Sequence, residues 1–187
     1  CHIAGAHLLD PESNEYNFPY LRHLFSGRET VVVCFVHREQ GLIVKPGNPM
    51  NVNSLEDLCR GDVRFVNRQQ GAGTRVLLDH HLKRMGIAER DILGYDHQVA
   101  THTEVATEIK GGRATVGLGV QAAATAFDLE FIPLARERYD FIIPKQTFYT
   151  EPLQKVMDVV RSDRFAQQVE EMGGYDVSEM GSVLSWS

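Results

Sequence analysis

The sequence predicts an α/β fold of two lobes with mostly parallel sheets. Short apolar stretches rich in β-branched residues alternate with stretches of helical periodicity, and breaker residues separate the two kinds. Such alternation indicates parallel strands with helices on the faces of the sheet. The chain has 187 residues and 43% hydrophobic content, which is enough to bury a core as one domain or two small lobes.

The first 46 residues are expected to form strands around one short helix. The apolar stretch HIAGAHLL is typical of a strand, and Pro19 in a first turn favours a helix over residues 18–25. The continuously apolar run 30–36 predicts a strand, and residues 41–44 predict a second one that ends at a proline- and glycine-rich breaker. Because the chain starts without methionine inside an apolar stretch, we expect that a segment precedes it.

The most informative run is Val63–Arg75, where a buried strand leads into a glycine-rich bend that opens directly into a helix. Gly71 and Gly73 allow the backbone to turn tightly and to approach a ligand, and apolar residues recur with helical spacing after Thr74. The start of a helix exposes N–H groups and the positive end of the helix dipole, and both favour a negative ligand. The bend therefore predicts a site for a small oxyanion.

Four side chains flank this bend. Arg68 and Arg75 offer charged, forked hydrogen bonds, and Asn67 and Thr74 offer neutral ones. Neither nucleotide motif is met, because Thr74 replaces the lysine of a phosphate-binding loop and Val76 replaces the third glycine of a dinucleotide fingerprint. An ordinary strand-to-helix turn, in which glycine and threonine serve only geometry and capping, stays open as the alternative.

The rest of the chain continues the alternation and then becomes helical. The predicted elements are a short helix at 54–60, a strand at 97–100, a helix at 103–110, a strand at 115–118, a helix at 120–127, strands at 129–134 and 139–143, and helices at 151–162 and 164–172. This order predicts a discontinuous lobe 1 from residues 1–46 and 139–187, and a lobe 2 from residues 47–138.

Two further regions offer hydrogen-bond donors to a ligand. His102 and Thr103 lie at a predicted helix start, where they could face a cleft, although Thr103 could also serve only as the cap. Tyr139 lies where the chain returns to lobe 1, and its phenol could contact a ligand or simply be half-buried on a strand. Ligands bind beyond the carboxyl ends of parallel strands and between domains, so we expect these residues and the bend to face one interlobe cleft.

Composition and motifs exclude several classes of function. A formal net charge of -6 with scattered lysine and arginine argues against direct nucleic-acid binding, and no apolar run approaches the roughly 20 residues of a bilayer span. Cys34 and Cys59 are expected to be buried, reduced thiols, which favours a reducing, cytoplasmic compartment. The adjacent His80 and His81 point about 100° apart and predict no metal site. No motif predicts a catalytic residue or a cofactor.

Six motifs in order resemble the periplasmic-binding-protein-like domain of molybdate metabolism. They are HLLDPESNEYN, REQGLIVKPGNP, VRFVNRQQGAGTRVLLD, GYDHQVATHTEVA, GLGVQAAA and FIPLARERYDFII. That domain occurs fused to molybdopterin-biosynthesis proteins or to helix-turn-helix transcription regulators, and it is similar to LysR-type effector domains. The resemblance covers about residues 4–143 and implies a type II two-lobed fold with a hinge. Such folds open with a strand and a helix that this sequence lacks, so lobe 1 is expected to be N-terminally incomplete.

The resemblance implies a non-enzymatic domain that binds or senses molybdate, tungstate or a molybdopterin-related ligand. The expected ligand-binding residues are Asn67, Arg68, Gly71, Gly73, Thr74, Arg75, His102, Thr103 and Tyr139, the last because similar molybdate binders use a hinge tyrosine. An accessory module of a molybdenum-cofactor biosynthesis enzyme and an exported, periplasmic receptor stay open as alternatives. We expect a fused regulatory or biosynthetic domain, or a second copy of the chain, as a partner. We expect no contact with a membrane.

Overall fold

The computed structural model describes residues 1–10, 12–13, 15–24 and 27–186. The strands are β1 (Ala4–Ala6), β2 (Thr30–Val44), β3 (Phe65–Arg68), β4 (Gln98–Val99), β5 (Val116–Val120), β6 (Glu130–Pro144), β7 (Tyr175–Asp176) and β8 (Val183–Trp186). The α-helices are α1 (Phe18–Leu24), α2 (Gly73–Met85), α3 (His102–Lys110), α4 (Gln121–Ala126), α5 (Lys145–Phe148), α6 (Glu151–Val160) and α7 (Asp163–Glu171). Two 3₁₀ helices cover Glu56–Cys59 and Glu89–Asp91. The predicted α/β class is confirmed.

The chain divides into two compact units. Unit 1 comprises Cys1–Arg38 and Arg136–Ser187, and unit 2 comprises Glu39–Ala135. Strands β2 and β6 each have residues in both units, so the chain passes from one unit to the other within these two strands. The first crossing lies earlier in the chain than the expected boundary after residue 46.

Unit 1 combines antiparallel strand pairs with the C-terminal helices. Strand β1 pairs with β6, and β7 and β8 both pair with β2, in each case antiparallel. Helix α6 buries Leu153, Met157 and Val160, whose spacing of four and three residues places them on one face. This face packs with Val31 and Ile143 in one apolar cluster, so the strands of unit 1 are covered by α6.

Unit 2 contains the parallel part of the fold. Strand β5 pairs in parallel with β3, and β3 pairs in parallel with β4, while β2 runs antiparallel to β5. Neighbouring residues of a strand point to opposite faces, and the structure buries both: Phe65 packs in one core cluster and Val66 in another. Leu78 and Leu82 of α2 belong to the first cluster, and Val105 of α3 belongs to the second. Helices therefore cover both faces of this sheet.

Four expectations about these elements are wrong. The sheets are not mostly parallel, because the long strands β2 and β6 bring antiparallel pairs. Residues 30–36 and 41–44 belong to one strand, and the strands predicted at 129–134 and 139–143 are likewise one strand, which begins at Glu130. The C-terminal part is not wholly helical, since it contains β7 and β8. Cys34 is buried as expected, but Cys59 is exposed. Helix α1 agrees with the prediction, except that Phe25 lies outside the described residues.

Of the described helices, none combines the length and the apolar character that a membrane span requires.

Candidate functional site

The bend between β3 and α2 has the geometry that its glycines predict. Gly71 has a φ of +84°, in the left-handed region that favours glycine, and no atom lies within 4 Å of the place where a Cβ would be. Ala72 is extended (φ −68°, ψ 137°) and precedes Gly73, the first residue of α2. The chain thus passes from a buried strand into a helix over four residues of exposed or half-buried backbone, Gln69 to Ala72.

The first turn of α2 presents unpaired amides. No side chain caps this helix. Among the described residues, none accepts a hydrogen bond from the N–H of Gly73, Thr74 or Arg75, whereas the next amide, that of Val76, donates to the Ala72 carbonyl at 3.0 Å. The first N–H groups of any helix lack an intrahelical acceptor, and they carry the positive end of its dipole. These three amides are available to an anion.

The side chains of Thr74 and Asn67 make hydrogen bonds within unit 2. Gln40 Nε2 donates to Thr74 Oγ1 at 2.9 Å, and both residues are buried. Asn67 Nδ2 donates to the Tyr95 carbonyl at 3.0 Å, while Asn67 Oδ1 accepts from the Arg68 amide at 2.9 Å. These two side chains hold the bend in place. We expected them to offer hydrogen bonds to a ligand, but each is already hydrogen-bonded within the protein.

Arg75 is held by its own helix and by the loop before β4. Its Nε donates to Asp79 at 2.9 Å, and its guanidinium lies 4.0 Å from the ring centroid of Tyr95. The Tyr95 hydroxyl also donates to Asp79, at 2.7 Å. Burial would lower the pKa of Arg75, but the hydrogen bonds with Tyr95 and Asp79 outweigh burial and raise this pKa. The guanidinium is therefore charged and already paired with a carboxylate.

Arg68 links the bend to the segment that leads into α3. Its Nη2 donates to the Ala100 carbonyl at 2.8 Å, and Arg68 and Val99 are partners in the parallel pair of β3 and β4. The start of α3, with His102 and Thr103, therefore lies at the same edge of the unit 2 sheet as the bend. Strand β5 is parallel to β3 and runs into α4, so three neighbouring strands end at this edge and each leads to a helix.

The start of α3 differs from the start of α2 because side chains cap it. Thr101 is the N-cap residue, and its Oγ1 accepts from the Glu104 amide at 3.1 Å. Glu104 Oε2 in turn accepts from the amides of Ala100 and Thr101, at 2.6 and 3.0 Å. The cap is Thr101, so the alternative in which Thr103 serves as the cap is wrong. The pattern T-x-x-E at 101–104 was visible in the sequence and predicts this capping box.

Tyr139 belongs to unit 1 and lies in an aromatic and charged cluster. Its ring stacks on His7 with a centroid distance of 5.2 Å, and the guanidinium of Arg38 lies 4.8 Å from the ring centroid. A Cβ at Gly5 would come within 2.3 Å of the Tyr139 hydroxyl oxygen, so only glycine at position 5 admits the ring in this place. The tyrosine packs closely against β1.

A buried carboxylate, Glu137, lies under this cluster. Its side chain accepts a hydrogen bond from Arg38 and contacts His7 Nδ1 at 3.3 Å. Burial would raise the pKa of Glu137, but the His7 hydrogen bond and the Arg38 charge outweigh burial and hold the pKa below its ordinary value. The pair of Arg38 and Glu137 thus stays ionised at neutral pH.

An aromatic cavity of about 430 Å³ lies beside Tyr139 in unit 1. Its walls include Phe35, Arg38, Tyr139, Phe141, Phe165 and Tyr175. The rings of Phe35 and Phe141 are 4.5 Å apart between centroids and form one wall. This cavity offers apolar surface and a guanidinium rather than a cradle of amides.

The comparisons with known proteins agree with this architecture. Residues 1–161 match the model of the PBP superfamily domain. The chain is 35% identical to the uncharacterized protein YvgK of Bacillus subtilis (strain 168) over 98% of its own length, and it spans 59% of the length of YvgK.

Two solved structures share the fold at low sequence identity. One is the substrate-binding domain assigned to a molybdenum ABC transporter of Clostridium difficile, with 16% identity, a TM-score of 0.53, and coverage of 78% of this chain and 66% of that one. The other is a substrate-binding protein assigned to a phosphate ABC transporter of Clostridium perfringens, solved with bound phosphate, with 11% identity, a TM-score of 0.61, and coverage of 96% and 78%. The chain has the periplasmic-binding-protein-like α/β fold, and it belongs to the family of PBP superfamily domains.

Proposed function

We propose that this domain binds a small oxyanion at the bend between β3 and α2. The observation that carries the proposal is the uncapped start of α2, where the amides of Gly73, Thr74 and Arg75 have no acceptor among the described residues. Directed N–H groups at a helix start bind anions without a net positive charge on the protein. This matters here, because the formal net charge of the chain is -6.

The contributions of the predicted site residues differ in this proposal. Gly71 and Gly73 allow close approach of the backbone, and Thr74 and Arg75 contribute their amides, because their side chains are already bonded within unit 2. Asn67 and Arg68 hold the bend against the Tyr95 carbonyl and the segment before α3.

Outside the bend, His102 and Thr103 are second contributors in the proposal. They are weaker than the start of α2, since the Thr101 hydroxyl already accepts from the Glu104 amide and the Glu104 carboxylate accepts from the Thr101 amide. Tyr139 belongs to unit 1, and a ligand contact by its phenol stays a prediction from the sequence.

Molybdate and tungstate are the first candidates for the ligand, with a molybdopterin-related compound as the third. The six motifs of the sequence support them, and one structural neighbour is assigned to a molybdenum transporter. The neighbour with bound phosphate makes phosphate a necessary comparison. All of these ligands present oxygen atoms that accept hydrogen bonds from amides.

A sensing or binding role without catalysis is the function we propose, in the cytoplasm and without direct nucleic-acid contact by this domain. Because YvgK is longer than the matched region, a fused domain is part of the proposal, either a helix-turn-helix regulator or a molybdopterin-biosynthesis domain. In the second case the domain would be an accessory module that holds the phosphate of a pterin. The remaining alternatives are that the protein forms a homodimer and that it is an exported receptor.

Isothermal titration calorimetry with molybdate, tungstate, sulfate and phosphate tests the proposal. We expect saturable binding of molybdate or tungstate, at least ~tenfold tighter than binding of sulfate, a difference of ~1.4 kcal/mol. Heat with none of the four anions would reject the oxyanion version. A pterin monophosphate that binds where the four inorganic anions do not would favour the accessory-module version instead.

A further inference from the structure

We propose that Cys34, His37 and Glu179 form a binding site for a divalent transition-metal ion, with zinc as the best match to the ligand chemistry. The thiol sulfur, an imidazole nitrogen and a carboxylate oxygen all lie within 4.8 Å of one another. All three residues belong to unit 1. The site is separate from the bend between β3 and α2, so its existence does not depend on the proposed oxyanion function.

Backbone hydrogen bonds hold the three ligands together before any ion arrives. The Cys34 amide donates to the Ser182 carbonyl at 2.9 Å, and the Gly181 amide donates to the Cys34 carbonyl at 2.8 Å. The two residues that follow Met180 are therefore fixed to the backbone amide and carbonyl of Cys34, close to Glu179. His37 pairs with Asp176 in the antiparallel ladder between β2 and β7, just before the same turn.

The side chain of the residue that caps the C-terminal end of α6 also contacts this turn. Arg161 Nε donates to the Gly181 carbonyl at 3.1 Å, and Gly181 itself has a φ of +77°. The Ser182 amide donates to the Glu179 carbonyl at 3.0 Å and closes the turn. These contacts hold the backbone around Glu179 in place without using its side chain, which pairs with His37.

A tetrahedral ion requires the three ligand atoms, which lie within 4.8 Å of one another, to rearrange around it. Zinc bonds of ~2.3 Å to sulfur and ~2.0 Å to nitrogen imply ligand atoms about 3.3–3.5 Å apart in a tetrahedron. His37 Nε2 and Glu179 Oε2 are 2.6 Å apart, as a hydrogen-bonded pair, and have to separate by a fraction of an ångström. The Glu179 side chain is 55% exposed and has room for that movement.

Burial and exposure also give the ion a route to the site. Cys34 is buried, His37 is partly buried with 18% of its side chain exposed, and Glu179 is largely exposed. An ion therefore enters from the Glu179 side and ends against the sulfur. One thiolate and one carboxylate neutralise a divalent cation, and three protein ligands leave a fourth position for water or another donor.

The nature of the donors selects the metal. A thiolate excludes magnesium and calcium, which prefer oxygen ligands, and the mixture of sulfur, nitrogen and oxygen suits zinc or cobalt. A simple ion pair between His37 and Glu179, with Cys34 as an inert thiol, is the competing interpretation that the experiment has to reject.

The test uses cobalt as a coloured substitute for zinc. In a Cys1→Ser/Cys59→Ser background, Cys34 is the one remaining cysteine of the chain. Titration with CoCl₂ should produce a thiolate-to-cobalt charge-transfer band in the near ultraviolet, and added ZnCl₂ should abolish it. A folded protein that binds cobalt without this band, or does not bind it, overturns the proposal.

Ligand and control variants in the same background complete the test. His37→Ala and Glu179→Gln should each weaken cobalt binding by at least ~tenfold, and Cys34→Ser should remove the band. His80→Ala, a histidine of unit 2, should leave the titration unchanged. Because Glu179 is exposed, its variant should fold normally, and an unchanged cobalt affinity in Glu179→Gln would overturn the three-ligand site.

Discussion

Gln40 and Thr74 are joined by a buried hydrogen bond of 2.9 Å that ties β2 to the first turn of α2. Gln40 is fully buried, and Thr74 is 2% exposed. The bond holds the start of α2 against the strand beside it, so the three free amides of the bend have a fixed direction. A polar pair in an apolar core has to be satisfied, because an unpaired buried amide costs free energy.

Thr74→Val should therefore destabilise the protein. The substitution leaves the Gln40 amide without this partner, and we expect the free energy of unfolding to fall by about 1–3 kcal/mol. The double variant Gln40→Met/Thr74→Val removes both partners and should regain part of that loss. Thr103→Val, at an exposed position of α3, is the control and should stay within about 0.5 kcal/mol of the wild type in urea unfolding. Equal stability of Thr74→Val and Thr103→Val would show that the Gln40 bond contributes nothing.

The acid stability of the protein should depend on Glu137. Because the pKa of Glu137 is lower in the folded chain than its ordinary value of 4.5, the unfolded chain binds this proton more readily. The stabilisation is present above that value and is lost as the pH falls through the folded pKa. Glu137→Gln should cost on the order of 3 kcal/mol at neutral pH, since it leaves Arg38 without its charged partner.

The pH dependence of stability distinguishes the loss of the Glu137 charge from a general destabilisation of the fold. In Glu137→Gln, the free energy of unfolding should fall less steeply than in the wild type as the pH drops below 4.5. Glu151→Gln removes an exposed partner of Lys155 and should keep the wild-type profile. Parallel profiles for the wild type and Glu137→Gln would contradict the assignment.

The cysteines should differ in reactivity. Cys1 and Cys59 are exposed and should react with a thiol reagent in the folded protein, Cys59 slowly because burial and the charges of Asp91 and Glu56 raise the pKa of its thiol. Burial, together with the negative charges of Asp140 and Glu179, raises the pKa of the Cys34 thiol to about 12. In metal-free buffer, Cys34 should be protected from a bulky thiol reagent and react only after unfolding, which a time course with Ellman's reagent in native buffer and in urea would measure. Rapid reaction of all the thiols in native buffer would contradict the burial of Cys34.

Local sequence patterns predict those strands and helices that depend only on neighbouring residues. The strand, bend and helix around Gly71 depend on apolar periodicity and on a glycine conformation, and both are visible in the sequence. The βα alternation also predicted the parallel strands β3, β4 and β5. These patterns need no knowledge of distant residues.

The long strands were missed because their polar segments are satisfied by distant partners. Arg38 lies inside β2 and pairs with Glu137, which lies inside β6. Arg136 pairs with Asp176 of β7, and Asn17 Nδ2 donates to Asp140 Oδ2 at 2.8 Å. Read locally, such charged runs indicate a break between strands, whereas in the fold these side chains pair with residues far away in the chain.

In the candidate site, too, some features follow from local sequence patterns and others depend on distant residues. The free amides at Gly73 follow from the local pattern, but the role of Gln40 has no local signal, because its partner Thr74 belongs to another element. The group of Cys34, His37 and Glu179 was also invisible, since Glu179 is 142 residues from His37 in the chain. Distant pairings of this kind emerge only from the fold.

A comparison of two substitutions at Gly73 tests the central claim most directly. Proline is favoured at the first helical position, and Ala72 already has the extended conformation that the residue before a proline requires. Gly73→Pro therefore removes one amide hydrogen and keeps the helix, while Gly73→Ala keeps the amide. The anion that binds the wild type most tightly should bind Gly73→Pro at least ~tenfold more weakly than Gly73→Ala, because a hydrogen bond to a charged group contributes about 1.5–3 kcal/mol. Equal affinities in two equally stable variants would contradict anion binding at the start of α2.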